Sequence, residues 1–552
     1  MIFAPENRNP SCMNHSKNFL FSAIARRRQT SSAAREQVRL RLQRLFFLCT
    51  IFLLPVFSLA QEGRQIKLRH ADKLKGSREK NVQLLIGHVE FEHQGAIMTC
   101  DSAIFYNGAN KLDAFGHVHI QHGDSVHLYG DMLKYNGNER KAELFKNISL
   151  TDGDMRLTTD YLIYDLKNKT ASYNTGGKIL NKDNTLESKL GYYSTESKTL
   201  TFRKDVKLFN PQYTMTCDTL RYLPISKVAY FIGPTTIKGN NNFIYCEDGW
   251  YDTKLDQCRF SKNSYLVTEG QKLSGDSLFY DRKIGVGRAK GNVVLLDTAQ
   301  HLIIKGGLAV HNELTERSLV TQDALFIQAY DNDSLFLHAD TLRAHTLRDS
   351  SVVTDENGKK VQLNDSNRVV YAHHHVKFFK QDLQGKCDSL VYSSLDSTMR
   401  MYGRPVLWSD ENQLSAETID IITTKNEVKQ MFLYNTAFIS SKEDTLRYNQ
   451  IKGKKMTGWF SKNDLYRIDV EGNGQTLYYV RDKGSLVGVN KADCSRLTIQ
   501  VADSKVKKIN FYNKPEGVLY PLLDLSPREA LLKDFRWRGE ERPLQMRDIF
   551  VQ

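Results

Sequence analysis

One phrase returns along this chain: "MTCDSAIFY" from Met98, "MTCDTLRYL" from Met215, "LSGDSLFYD" from Leu273 and "KCDSLVYSS" from Lys386. Aligned on its acid, it gives Asp101, Asp131, Asp160, Asp218, Glu247, Asp276, Asp340, Asp388 and Glu417, with Lys189 and Gly306 holding the place in two further units. The separation stays near 29 residues until a short extra stretch before Asp340 and a longer one before Asp388, and such a period is the signature of units that stack on copies of themselves.

A second phrase lies between the acids: "IGHVEF", "FGHVHI", "FKNISL", "RKDVKL", "KGNVVL", "HHHVKF" and "GRPVLW". Each has a turn residue and then alternating apolar positions, which reads as a half-buried strand. Each unit is therefore expected to run strand, turn, strand, turn, giving an all-β elongated array of antiparallel strands. Residues 61–345 form the first part of the array and 368–523 the second. Between them 346–367, polar and rich in Gly and Asp, reads as an exposed loop or hairpin. A tail over 524–552 carries the helix signal "SPREALLKDF", with Ser526 as N-cap, Pro527 at the first position and Glu529 three residues on.

An acid shared by so many units points to architecture more than to a reactive centre, and Asp at a strand corner is expected to bond backbone amides nearby. The residue before it is small throughout (Cys100, Gly130, Thr159, Cys217, Cys246, Gly275, Ala339, Cys387 and Ala416), which predicts a crowded slot. Cys217 and Cys246 occupy equivalent places one unit apart, about 10 Å by strand spacing, too far for a disulfide. Among the histidines, His373 and His375 alone could turn to one ion together. His88, His117 and His375 fall where other units carry Asn292, Asn147 or Asp205, so turn chemistry is preferred and neither metal nor cofactor is expected. The recurring valines and the pairs Leu220/Tyr222, Leu278/Tyr280 and Leu390/Tyr392 should stack into one continuous apolar stripe. The pattern reads equally as ordinary core or as the lining of a groove.

The first sixty residues read as an export signal. A basic stretch precedes the apolar run from Leu45 to Ala60, which ends in Ser58-Leu59-Ala60, so cleavage is expected before Gln61. Without them the formal +14 falls to about +7, a mild charge that does not suggest nucleic acid.

Tandem "G-x-V-x-[ILF]" and "[small]-D-x-L-x-Y" behind an export signal resemble the OstA-like, or LptA, family of periplasmic lipopolysaccharide-transport proteins, over most of residues 80–440. The same module forms the periplasmic part of the translocon LptD. The resemblance implies an open V-shaped β-jellyroll, no catalysis, and an apolar interior carrying lipid A acyl chains. It implies that Val89, Val118, Ile148, Val206, Val293, Val376 and Val406 face that groove, with Leu220, Tyr222, Leu278, Tyr280, Leu390 and Tyr392 lining it too. It implies partners of the same fold joined by strand-edge pairing, and a periplasmic location against the inner or outer membrane. Roughly 25 strands would reach on the order of 120 Å. Two other readings stay open from the residues alone: a parallel β-helix that binds or degrades polysaccharide, and a repetitive surface adhesin.

Overall fold

The computed structural model describes residues 65–551, apart from 78–80, 269, 300, 331–332, 350–351, 355–359, 363–364, 425–426, 503–504, 523 and 527; the segment expected to be an export signal lies outside them. Each unit becomes two antiparallel strands, such as Val82–His93 and Ala96–Tyr106. Thirty-four strands join into one sheet in which neighbours along the chain pair with one another. The pairings run antiparallel from Lys67 to Tyr520, which removes the parallel β-helix reading.

The recurring acid does not sit at a turn. It sits in mid-strand, at a bulge that folds the sheet lengthwise into two walls. Ile86 pairs with Ser102 and Val89 with Cys100, so Gly87 and His88 stand against Asp101 alone. Both take left-handed backbone, φ 84° and 41°. An extra residue in one strand bends it and strengthens its twist. On Ala96–Tyr106 the buried positions accordingly run Ala96, Met98, Cys100, then slip by one to Ala103 and Phe105. The first wall holds residues like Leu85 and Phe105, the second those like Phe91 and Met98.

The acid's partner also differs from the one expected from turn chemistry. Asp72 meets His88 Nδ1 at 2.8 Å, Asp101 meets His117 at 2.7 Å, and Asn147 and Asn263 donate to Asp131 and Glu247 at 2.6 and 2.9 Å. The carboxylate thus reaches a side chain at the left-handed corner of the next strand. Lys189, which lacks the acid, keeps the pair with its charges exchanged, meeting Asp205 at 2.5 Å. Asp72 itself extends the register one unit earlier than the sequence phrase reveals. Crowding at the corner explains its glycines: at Gly116 (φ 75°) an added Cβ would lie 2.3 Å from Asp101 Oδ2.

Full burial along the apolar stripe is interrupted once, although Ala309 still packs on the cluster before the gap and Ile304 on the one after it. One buried cluster runs from Ile66 to Val293 and a second from Ala324 to Ile499. They divide at strand Leu302–Asn312, which contributes no fully buried residue. The small-residue slot is crowded as expected, with Cys100, Cys217, Cys246 and Cys387 buried and all six described cysteines free thiols. The segment 346–367 extends strands Ser334–Asp349 and Asp365–Phe379, which stay paired to Asp349 opposite Asp365, and beyond them Val352–Thr354 pairs with Lys360–Gln362.

The tail corrects two expectations. Ser526 and Glu529 do form the capping pair, Oγ to Oε2 at 2.7 Å, but the turn stops there and no α-helix follows among the described residues. Instead the tail runs back over the outer side of the second wall, where its backbone bonds go to side chains of the sheet. Gln450 donates to Ala530 O (3.0 Å) and accepts from Leu532 N (2.8 Å). Gln413 does the same with Arg536 O (2.8 Å) and Arg538 N (2.6 Å). Each amide completes two backbone bonds that a helix would have made internally. Leu532 and Phe535 pack there on Phe438, Leu477, Tyr479 and Val489 as a third cluster. Glu541, bonded to Arg538 and Lys386, is held at about 2, well below the ordinary carboxylate range.

Val406 belongs to this outer side too. Val406 pairs with Lys386, Leu407 with Gly385 and Trp408 with Gln384. Successive residues of a strand point to opposite faces, so Leu407 enters the inner cluster and Val406 and Trp408 lie beneath the tail. Its expected place in the groove is therefore overturned.

Gly116→Val should cost about 1–3 kcal/mol, since it adds both left-handed strain and a clash. Hydrogen exchange checks this: protection should fall around strands Ala96–Tyr106 and Lys111–His122 and stay unchanged beyond Val286.

Candidate functional site: the folded inner face

Alternation within each strand turns one set of apolar side chains into the fold. Val89, Val118, Ile148, Val206, Val293 and Val376 follow the bulge directly and are buried to between 0 and 3 % exposure. Leu220, Leu278 and Leu390 are buried, and Tyr222, Tyr280 and Tyr392 half-buried, on the first wall.

The inner face changes character along the array. In the first units the walls meet and are bonded across the mouth. The His93 Nδ1 and Tyr135 hydroxyl are 2.5 Å apart, and His122 Nδ1 and Tyr164 hydroxyl 2.7 Å. One unit further, the Tyr193 hydroxyl and Lys198 ammonium both donate to Asp152. His93, His122 and Asp152 end the second wall's strands, while Tyr135, Tyr164 and Tyr193 lie on the first wall. Burial would raise the Asp152 carboxyl, but the bonds from Lys198 and Tyr193 outweigh it and hold it below the ordinary range. Burial pushes the His122 imidazole down and the Tyr164 phenol up to about 12, so both stay neutral near pH 7.

Past Tyr193 the first-wall tyrosines Tyr251 and Tyr280 no longer make these cross-wall bonds. Beside Tyr193 lies a concavity of about 250 Å³, solvent included, lined by residues such as Met155, Leu157, Tyr173, Ile179 and Phe202. From there the inward residues are no longer sealed: Ile237, Ile244, Tyr251, Cys258, Leu266 and Leu273 are half-buried. Their tyrosines bond differently. Tyr251 donates to Asp256 on a nearby turn and Tyr280 to Glu313, rather than to the opposite wall's strand ends.

The histidine run is taken apart by the corner. His374 and His375 both take positive φ (62° and 53°); His375 meets Asp340 at 2.9 Å, while His373 stacks on Tyr371. His373 and His375 therefore do not converge. No group of three potential ligands is placed to hold a metal among the described residues. The corner pairs titrate in a defined sense. The hydrogen bond to Asp72 raises the His88 imidazole, and His88 lowers Asp72. Both are charged, and the pair contributes fully, from above the ordinary carboxylate range to below the ordinary imidazole range, roughly pH 4 to 6.5. It fades as pH falls through Asp72 or rises through His88.

Comparison with known proteins bears on this geometry. Residues 63–218 match the family model described as OstA-like protein. This part of the chain is similar to that family. The match covers the units whose mouth is bonded shut, and the same bulged strand pairs continue past it. Among solved structures the chain is similar to LptH of Pseudomonas aeruginosa, described as the LptA homologous periplasmic component of the conserved lipopolysaccharide transport device. That match has 14 % identity, covers 26 % of this chain and 96 % of that one, and has a TM-score of 0.21. No curated protein matches the chain. No helix among the described residues is long and apolar enough to cross a membrane.

Two measurements check this account. By NMR titration His117 should titrate above an ordinary histidine, because Asp101 raises it, and Asp101→Asn should return it toward that value. Replacing Tyr135 and Tyr164 by Phe removes two cross-wall bonds while keeping the rings. Maleimide labelling of Cys100, buried behind them with its thiol pushed up to about 11, should then quicken severalfold, with Cys387 unchanged.

Proposed function

We propose that the chain is a non-catalytic carrier of an acylated amphiphile, with lipopolysaccharide and its lipid A moiety as cargo, working in the periplasm as a bridge in outer-membrane assembly. The observation that carries this reading is the inner face itself: apolar along the first cluster, bonded shut over the OstA-like units, and half-open from Ile237 to Leu273. Each methylene moved from water onto such a face gains about 0.8 kcal/mol. An acyl chain would enter at the open middle and stay without any reaction.

Partners of the same fold would join at the sheet's two ends. Among the described residues, strands Lys67–His70 and Lys73–Ser77 pair only with Val82–His93, and Lys505–Tyr512 and Glu516–Tyr520 only with Ser485–Ala502. An edge with unpaired backbone groups accepts a further strand. Expected groove contacts are the inward residues Val89, Val118, Ile148, Val206, Val293 and Val376, together with the Leu/Tyr pairs of the first wall.

The test uses a photo-crosslinking residue in cells at Leu266 or Val293, and at outward Arg259 as control. Lipopolysaccharide adducts are expected at the first two and not at the third; adducts at none, or equally at all, would remove the reading. In the purified chain Cys258, inward and half-buried, should react with maleimide ahead of Cys100, Cys217 and Cys246. Added lipopolysaccharide should slow it at least severalfold.

A further inference from the structure

The tail occupies only part of a longer apolar track on the outer side of the second wall. Its last described contacts are Phe550 against His338 (ring centres 4.7 Å apart) and the Val551 carbonyl, which accepts from Lys377. Beyond that point the same outward positions stay apolar strand after strand. His338 pairs with Leu325, Phe336 with Ile327, Ile327 with Ile303, and Ile303 with Leu296. The row continues through Lys272 to Val267 and Phe243, with Tyr265 beside them. Leu325 and His338 are buried and Lys272 is exposed, while Phe336, Ile327, Ile303, Leu296, Val267 and Phe243 are half-buried. In the earlier units the equivalent outward positions are polar: Glu90 and Glu92, then Ser149 and Thr151.

Two observations indicate the occupant. The first is continuity: beneath the tail this face takes a chain of turns and short 3-10 segments laid along the sheet, with apolar side chains such as Leu532 and Phe535 seated on it, and the track runs on from its last described contact. The second is charge. Lys272 and Lys305 rise from the apolar rows, Lys272 lying 4.4 Å from the Tyr265 ring centre and Lys305 between Val294 and Leu325. The outward positions facing them across the strands carry no carboxylate. A second copy of the chain laid on the same face would bring lysine against lysine.

We propose that this face docks an extended segment of a partner protein, with apolar side chains alternating with carboxylates, laid along the line the tail follows. Seven strands at about 4.8 Å give a track of roughly 30 Å, enough for about ten extended residues. The inference is independent of what the inner face carries.

The purified chain is titrated with a fluorescent peptide of alternating Leu and Glu, of about that length, and read by anisotropy. Binding is expected to weaken at least tenfold in Lys272→Glu/Lys305→Glu, surface changes that leave the sheet intact, and to fall with added salt. Ile303→Glu should abolish it, with circular dichroism reporting on the fold. A crosslinker at Leu296 should join the peptide, and one at Thr151 should not. Binding unaltered by the charge reversals, dimerisation through this face in sedimentation, or attachment only to vesicles of anionic phospholipid would each overturn the proposal.

Discussion

Everything in this molecule depends on the bulge that each unit repeats, braced in most units by a carboxylate bonded to a left-handed residue on the adjoining strand. A flat sheet this long would expose two faces and bury neither. The bulge at each acid folds it once, at the same place in every unit, so that a single line of corners runs along the array. Left-handed backbone at residues such as His88, Asn147 and Asp205 costs on the order of 1–2 kcal/mol each. It persists because the acid opposite holds the side chain and the apolar residues on either side are buried by the bend. The exchanged pair Lys189–Asp205 keeps the bond with its charges reversed, while the bulge opposite Gly306 forms with no side chain to bond, so the bond braces a corner that the bend itself can make.

That architecture was legible because it repeats. A period, a small residue and an acid in fixed order are visible without knowing what touches what, and the all-β antiparallel array follows from them. The likeness of His88 and His117 to Asn147 and Asp205 was also readable, since the four share a backbone need. What failed did so for local reasons. Val406 looks like the groove valine of its phrase, but Pro405 holds that place and the strand pairs one residue later, which inverts its side. Asp72 was missed because its strand is broken at Ala71 and Asp72 and Gly76 stands where the phrase has Tyr.

The mouth bonds and the tail were beyond sequence for a different reason. His93 and Tyr135 are 42 residues apart, and they meet only because two walls close on each other. Nothing in a strand pattern reports the angle between walls. The tail's helix signal was real as a capping pair, yet Gln413 and Gln450 offer its backbone amide bonds in an irregular, turn-rich form, and packing of Leu532 and Phe535 on the sheet outweighs local propensity.

The exchanged charges at Lys189 and Asp205 also fix where one building block ends. Each corner bond joins an acid-bearing strand to the strand after it, so the natural joint lies past Val206 and before Met215. A chain that lost or copied a whole block at such joints would keep every corner bond whole. One cut between Lys189 and Asp205 would set a lysine against a corner made for an acid, so growth and shrinkage of this array are confined to one seam per block.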